Sequence, residues 1–422
     1  MNLAVQRWVD RWVGIPLCAA VSAADLVARA LRPAKANNKP PRAIVVILLS
    51  EMGSLVLAHE MFTRLKSRYP DAPLHALLFA KNREILDLMQ VIAPANVHTV
   101  DDKSLIGLVT SLLKAIRTLR RADVDVAIDC ELFSRISSLL SFASGAVVRV
   151  GFHRHTQEGL YRGSHINRPV PYNPYQHISA QFLTLARAID SNAVPKSKLP
   201  AMPATLLGKS PPQVLLDPEL KAAIQSRLAN DFPAIAGRPL VLVYPGGGIL
   251  PIRAWPLKSY TALCEGLVAD GCAVAVIGLK DDTTLAQQLV TEVLAKVTNE
   301  VPTKAPGSFI VDLTGYTHSI AELLALFHVA RLLVTNDGGP GQFAALTPIW
   351  TLMLFGPETP ALYAPQTPKC YSFYSQWPCS PCLTAYNHRS SYCDGDNQCL
   401  KVITPASVLA KSRECLAQST LA

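Results

Sequence analysis

The chain has 422 residues, half of them hydrophobic and 17% charged, which excludes a disordered segment and gives enough apolar material for two packed domains. The net charge of +9 is uneven: residues 1–42 carry seven Lys/Arg against only Asp10 and Asp25. A basic end of this kind suits an anionic membrane surface, and no later run interleaves basic and aromatic residues as a nucleic-acid binder does.

In the first segment, Val5, Trp8, Trp12 and Ile15 recur at helical spacing, Pro16 interrupts, and Leu17, Val21, Ala24, Val27 and Leu31 continue the apolar pattern. The uninterrupted apolar stretch from Val13 to Ala24 is too short for a bilayer, which takes about 20 residues. Two Trp beside two Arg predict a helix lying in the membrane interface. A helix packed on the protein's own surface and a secretory leader ending near Val21-Ser22-Ala23 are the other readings.

Arg42 to Leu49 is a continuous apolar run with β-branched residues at its centre, as in a buried parallel strand. The sequence then predicts a helix over 55–69, a strand over 74–79, helices over 84–91 and 105–121, and a strand over 124–129. Six prolines between 193 and 218 mark a linker. Beyond it, strands over 240–244, 273–277, 310–313, 332–335 and 349–355 alternate with helices over 257–269, 283–297, 320–329 and 341–346. Such alternation predicts an α/β chain of two doubly wound Rossmann-like domains facing a cleft. The boundaries are an amphipathic membrane-associating segment at 1–41, an N-terminal domain at 42–195, a linker at 196–212, a C-terminal domain at 213–404 and a closing helix at 405–422.

Three segments carry chemistry. After the strand 240–244 comes Gly246-Gly247-Gly248, with Arg253 close behind and Trp255-Pro256 opening the next helix. A glycine loop beside a guanidinium can hold phosphate oxygens. The spacing is neither that of a P-loop nor that of a dinucleotide fingerprint. After the strand 273–277, Gly278 precedes Asp281 and Asp282, where a carboxylate can bind ribose hydroxyls or cap the next helix. The sharpest segment is Asn336-Asp337-Gly338-Gly339-Pro340 with Gln342, followed after one more strand by Phe355-Gly356-Pro357. Its backbone N–H groups can face an anion, or it can be a plain tight turn.

Taken in this order, Arg253-Ala254-Trp255-Pro256, Gly278 with Asp281-Asp282, Asn336-Asp337-Gly338-Gly339-Pro340 and Phe355-Gly356-Pro357 resemble glycosyltransferase family 9, the lipopolysaccharide heptosyltransferases. Arg149-Val150-Gly151-Phe152 and Leu49 to Ala58 are similar as well, and the resemblance spans roughly 42–410. It implies the GT-B architecture, with 42–195 binding the acceptor and 213–404 the nucleotide sugar, and an inverting transfer of a heptose-like sugar from a nucleotide-diphosphate sugar to a lipopolysaccharide or other envelope glycan. It also implies no metal and no cofactor beyond that co-substrate, with ADP-heptose the candidate. The expected partners are the donor, a lipid-linked glycan acceptor and a membrane surface met by the N-terminal helix, with no nucleic acid. The expected place is the inner face of the cytoplasmic membrane, held peripherally.

Two departures from the family follow. Its catalytic-base Asp is replaced by Ser54 in Ser50-Glu51-Met52-Gly53-Ser54, and a His is replaced by Gln342. Glu51, on the same turn, is the candidate base, with Asp129 and Glu131 behind it. Gly246, Gly247, Arg253, Asp337, Gly338, Gly339 and Gln342 would hold the diphosphate, and Asp281 or Asp282 the ribose. A binding or scaffold protein without turnover is the alternative. Cys379, Cys382, Cys393 and Cys399 form C-x2-C-x10-C-x5-C, read as reduced or loop-stabilising thiols rather than a zinc knot. The segment with His153, His155 and His165 is read as an acceptor-binding loop or a solvated one.

Overall fold

A computed structural model describes residues 3–31, 40–49, 51–132, 134–153, 161–191, 210–300, 309–387 and 389–419. The chain divides into two compact units, Met1–Gly208 and Lys209–Ala422. The predicted linker at 196–212 falls almost wholly outside the described residues.

The first unit runs α1 (Leu3–Trp12), α2 (Gly14–Leu31), β1 (Ile44–Ile47), α3 (Met52–Leu57), α4 (His59–Arg68), β2 (Leu74–Phe79), α5 (Arg83–Met89), β3 (Val97–Val100), α6 (Leu105–Arg121), β4 (Val126–Asp129), α7 (Arg135–Ala143), β5 (Val148–Phe152), β6 (Arg168–Val170) and α8 (Ile178–Ala188). Its parallel sheet has the order β3-β2-β1-β4-β5-β6. Ile44 to Ile47 are all buried, as expected for a central strand covered on both faces. The helix expected over 55–69 is two, α3 and α4, joined at Ala58.

The second unit runs α9 (Pro218–Asp231), β7 (Leu240–Tyr244), α10 (Leu257–Ala269), β8 (Ala273–Gly278), α11 (Thr283–Glu300), β9 (Ile310–Thr314), α12 (Ile320–Val329), β10 (Leu332–Asn336), α13 (Gly339–Ala344), β11 (Trp350–Phe355), α14 (Pro360–Tyr363), β12 (Cys370–Tyr374), α15 (Gln398–Lys401) and α16 (Pro405–Ser419). The sheet order β12-β11-β10-β7-β8-β9 repeats the first unit's winding. Val241, Val243, Val274, Val276 and Leu332 form its core with Trp255 and Tyr260. The closing helix α16 packs on α10 and β11, and Leu409 leaves no room for a side chain at Gly266.

In each sheet the winding reverses between two central strands, β1 and β4 in the first, β7 and β10 in the second. Ligands of doubly wound sheets bind beyond the carboxyl ends of the strands at such a reversal. Glu51, the glycine loop and Asp337 follow the ends of β1, β7 and β10, while Asp281 and Asp282 follow the neighbouring β8.

The N-terminal helices meet the first unit with their polar side. Asp10 accepts from the Arg135 backbone N–H at 2.7 Å and pairs with its guanidinium at 2.8 Å. Ser22 lies 3.2 Å from Nδ1 of His165, and Asp25 pairs with Arg149 at 2.7 Å. Packing on the protein's own surface is therefore part of what this segment does, and its apolar side chains Trp8 and Trp12 stay exposed.

Candidate functional site

In the second unit Asn336 ties the motif segments together. Fully buried, its Oδ1 accepts from Trp255 N at 2.9 Å and from the Tyr260 hydroxyl at 3.1 Å. Its Nδ2 donates to the carbonyls of Pro245 at 3.1 Å and Gly246 at 2.9 Å. One side chain thus fixes the end of β10, the glycine loop after β7 and the Trp-Pro entry to α10. The sequence reading assigned Asn336 no such part.

The glycine loop is tight for a physical reason. A Cβ on Gly247 would lie 2.7 Å from Pro251 Cα, and Gly248 has a φ of +60°. Gly246 sits against the Tyr244 hydroxyl and Asp282, either of which a Cβ would crowd at about 3 Å. Burial and the Asp282 charge push the Tyr244 phenol up to about 12. Asp282 accepts from Leu279 N at 2.9 Å, capping the short turn before α11, while Asp281 is exposed. The capping role and nearness to the loop coexist at Asp282.

Arg253 turns into a cluster of four charges. It donates to Glu358 at 2.8 Å and lies 3.7 Å from Asp337, and Arg389 reaches Glu358 at 3.2 Å. Asp337 and Glu358 are both buried. Burial first, then the Glu358 charge, raises the Asp337 carboxyl to about 7, so near neutrality it can donate a hydrogen bond as well as accept one. Glu358 and Arg389 were missed by the sequence reading. An acid directly after Phe-Gly-Pro was the available signal for the first, and nothing local marks the second.

Gly338 is extended and precedes α13, a helix of six residues. Gly339 has Phe343 within 3.3 Å of its Cβ position. Gln342 is buried and donates to the Tyr363 carbonyl at 2.7 Å, leaving its own Oε1 without a hydrogen-bond partner among the described residues.

In the first unit Glu51 stands at the start of α3 and accepts from the Ser54 hydroxyl at 2.7 Å. The two residues that take the place of the usual turn are thus in contact. Asp129 is fully buried and paired with Arg162, accepting also from Ser137 at 3.1 Å and Glu131 N at 3.1 Å. Burial raises its carboxyl to about 7 against the pull of Arg162. Glu131 accepts from Leu49 N at 2.6 Å, closing the end of β1. Asp129 is therefore a core ion pair, and Glu131 a strand-end cap beside the Glu51 turn.

His165, read as part of an acceptor loop, is fully buried between Ser22 and Ser138, and burial lowers its imidazole to about 4. His155 lies outside the described residues. The thiols of Cys379, Cys382, Cys393 and Cys399 are free, and among the described residues no group of three or more His, Cys, Asp or Glu is placed to hold a metal.

Residues 112–392 match glycosyltransferase family 9 (heptosyltransferase). The lipopolysaccharide heptosyltransferase 2 of Salmonella typhimurium is 24% identical over 380 residues, covering 89% of this chain and 99% of that protein. Among solved structures, the ADP-heptose lipopolysaccharide heptosyltransferase II of Escherichia coli superposes with a TM-score of 0.67 at 21% identity, covering 90% of this chain and 99% of that one. The Escherichia coli heptosyltransferase WaaC with ADP gives 0.57 at 15% identity, covering 88% and 99%.

Proposed function

This chain belongs to glycosyltransferase family 9 and is a glycosyltransferase of GT-B fold, and from that membership we propose that it moves a heptose-like sugar from an ADP-sugar to a lipopolysaccharide core or related envelope acceptor. The observation that carries this reading is the convergence, through Asn336, of the glycine loop, the Trp-Pro entry and the Asp337 turn at one strand reversal.

The chemistry is a single displacement with inversion. An acceptor hydroxyl attacks the anomeric carbon, its proton passes to Glu51, and the bond to the nucleoside diphosphate breaks. Ser54 orients the Glu51 carboxylate by its 2.7 Å hydrogen bond. The leaving diphosphate meets the backbone of Gly246 and Gly247, the Asp337-Gly338-Gly339 turn with Gln342, and the Arg253 guanidinium, which neutralises the charge that develops. Asp282, beside the loop, and Asp281 face the ribose. No metal or cofactor is assigned a part.

The reading includes a peripheral position on the inner face of the cytoplasmic membrane, where a lipid-linked acceptor is met. Its support is the exposed apolar side of the helix Trp8–Leu31, which by length and composition is also sufficient to cross a bilayer.

The test is acceptor-dependent release of ADP from ADP-heptose, with Arg253→Ala as the site probe. Losing a charge-assisted bond costs about 1.5–3 kcal/mol, so affinity for ADP should fall about 10- to 150-fold by calorimetry. Unchanged ADP affinity in Arg253→Ala removes the diphosphate assignment. Absence of transfer by the wild type with any ADP-sugar and envelope acceptor removes the substrate reading.

A further inference from the structure

In α1 and α2 the usual arrangement of an amphipathic helix is reversed. Asp10, Gly14, Cys18, Ser22 and Asp25 face the first unit at helical spacing. The opposite side presents Trp8 and Trp12, each 60% exposed, with Leu17, Leu26, Val27 and Leu31.

A second apolar stripe lies on α6. Ile106, Val109 and Leu113 are exposed at helical spacing, flanked by exposed Lys103, Lys114, Arg117 and Arg121. The crossovers from β3 to β4 and from β4 to β5 run in the same direction along the sheet, so right-handed connections put α6 and α7 on one face. Ala115 and Leu119 of α6 and Leu140 of α7 share one apolar cluster with Val45 and Ile47 of β1, and Arg120 donates to the Ala143 carbonyl at 2.8 Å. From the same face of β5, Arg149 lies 5.3 Å from the Phe142 ring of α7 and pairs with Asp25 of α2. The order across this face is α6, α7, α2. Among the described residues of the first unit, Tyr175 is the only exposed large apolar side chain that lies off this layer, α1 and their turns.

We propose that the entire α6–α7–α2 layer is a face that lies on anionic lipid, with α6 as a second contact and the N-terminal helix flat in the headgroup region rather than across the bilayer. This rests on the membrane-surface reading above and extends it to elements that reading does not use. Exposed apolar side chains along α1, α2 and α6, rimmed by cations, match the interior edge and the charge of an anionic leaflet. The flat orientation follows from the ion pairs. From Asp10 to Asp25 the helix runs about 22 Å, and both ends are keyed to the unit beneath it through Arg135 and Arg149. Crossing a bilayer would strip both partners away and leave two nearly buried guanidiniums unpaired. Salt weakens the electrostatic share of such binding.

The full chain is floated with phosphatidylcholine vesicles with and without phosphatidylglycerol. Three outward-facing sets are compared: Trp8→Ser with Trp12→Ser, Ile106→Ser with Leu113→Ser, and Arg117→Glu with Arg121→Glu. All change exposed side chains, and circular dichroism verifies folding. Wild type should float with the anionic vesicles and be released by alkaline carbonate. Each set should lower the bound fraction about tenfold or more. Loss of binding in the Trp set with unchanged binding in both α6 sets overturns the extended face and leaves the N-terminal reading standing. Failure of wild type to float with either vesicle overturns both. Resistance to carbonate overturns the flat orientation. Equal binding to both vesicles overturns the anionic preference. A dimer in light scattering that the α6 sets convert to monomer assigns the face to a second copy instead.

Discussion

Replacing Glu51 by Gln should lower turnover by about 10²–10⁴-fold while leaving ADP affinity unchanged. Glu51 begins the turn after β1, at the strand reversal of the first sheet, and its carboxylate accepts from Ser54 at 2.7 Å. Gln keeps the length and an acceptor oxygen for Ser54 but cannot take a proton. A loss confined to kcat in single-turnover assays, with calorimetric ADP binding intact, is the expected pattern. The rival carboxylate has a different signature. Asp129 is sealed in the core against Arg162, so Asp129→Asn should show itself in stability before chemistry. Normal turnover in Glu51→Gln removes it as the base.

Arg162→Leu should destabilise the first unit by about 3–5 kcal/mol. Arg162 is 1% exposed and donates to the carbonyls of Glu131 at 2.6 Å, Ser134 at 3.0 Å and Phe152 at 3.1 Å, to Ser137 Oγ at 2.7 Å, and to Asp129. Leucine leaves those acceptors dry and a carboxyl without its counter-charge. The sign of the pH dependence follows. Burial already holds Asp129 above its ordinary 3.8, at about 7, and removing the cation raises it further. Up to about pH 7 wild type and variant both keep the Asp129 proton when folded, so the defect is constant there; above 7 the wild type releases it beside Arg162 and the variant does not, so the defect grows as pH rises from about 7 towards about 9. Urea denaturation at the two ends of that window measures it. A defect under 1 kcal/mol at pH 7, or one that shrinks as pH rises, refutes this account.

The central strands were legible because a parallel strand covered on both faces needs a continuous apolar run, and Ile44 to Ile47 and Leu240 to Tyr244 are such runs, rich in Val and Ile. The sequence reading yields no helix at α7, whose inward face is Ser137, Ser138 and Ser141. Ser137 and Ser138 meet Arg162 and His165, partners that only the folded chain brings near. Similarly β12 is a half-exposed edge, and α9 buries little beyond Ile224 and Leu228, so neither displays a period. At the site, the glycines and Arg253 were legible because their chemistry is local. Glu358 and Arg389 were not, since each acquires its role from a charge far off in the chain. The N-terminal helix was read by its apolar stripe. Which side would be buried depended on Arg135, Arg149 and His165, and no property of residues 1–31 encodes them.

That keying has a consequence in time. Asp10 precedes Arg135 by 125 residues and Asp25 precedes Arg149 by 124. At a synthesis rate of about 5–20 residues per second, roughly 6–25 s separate each acid from its partner at the ribosome. Throughout that interval the nascent helix has both faces open, and its apolar side is available to any hydrophobic acceptor at the exit site. Only the later emergence of α7 and β5 supplies the cations that give the helix a fixed side. Docking of the first segment thus waits on the emergence of α7 and β5 and cannot be a local event of residues 3–31.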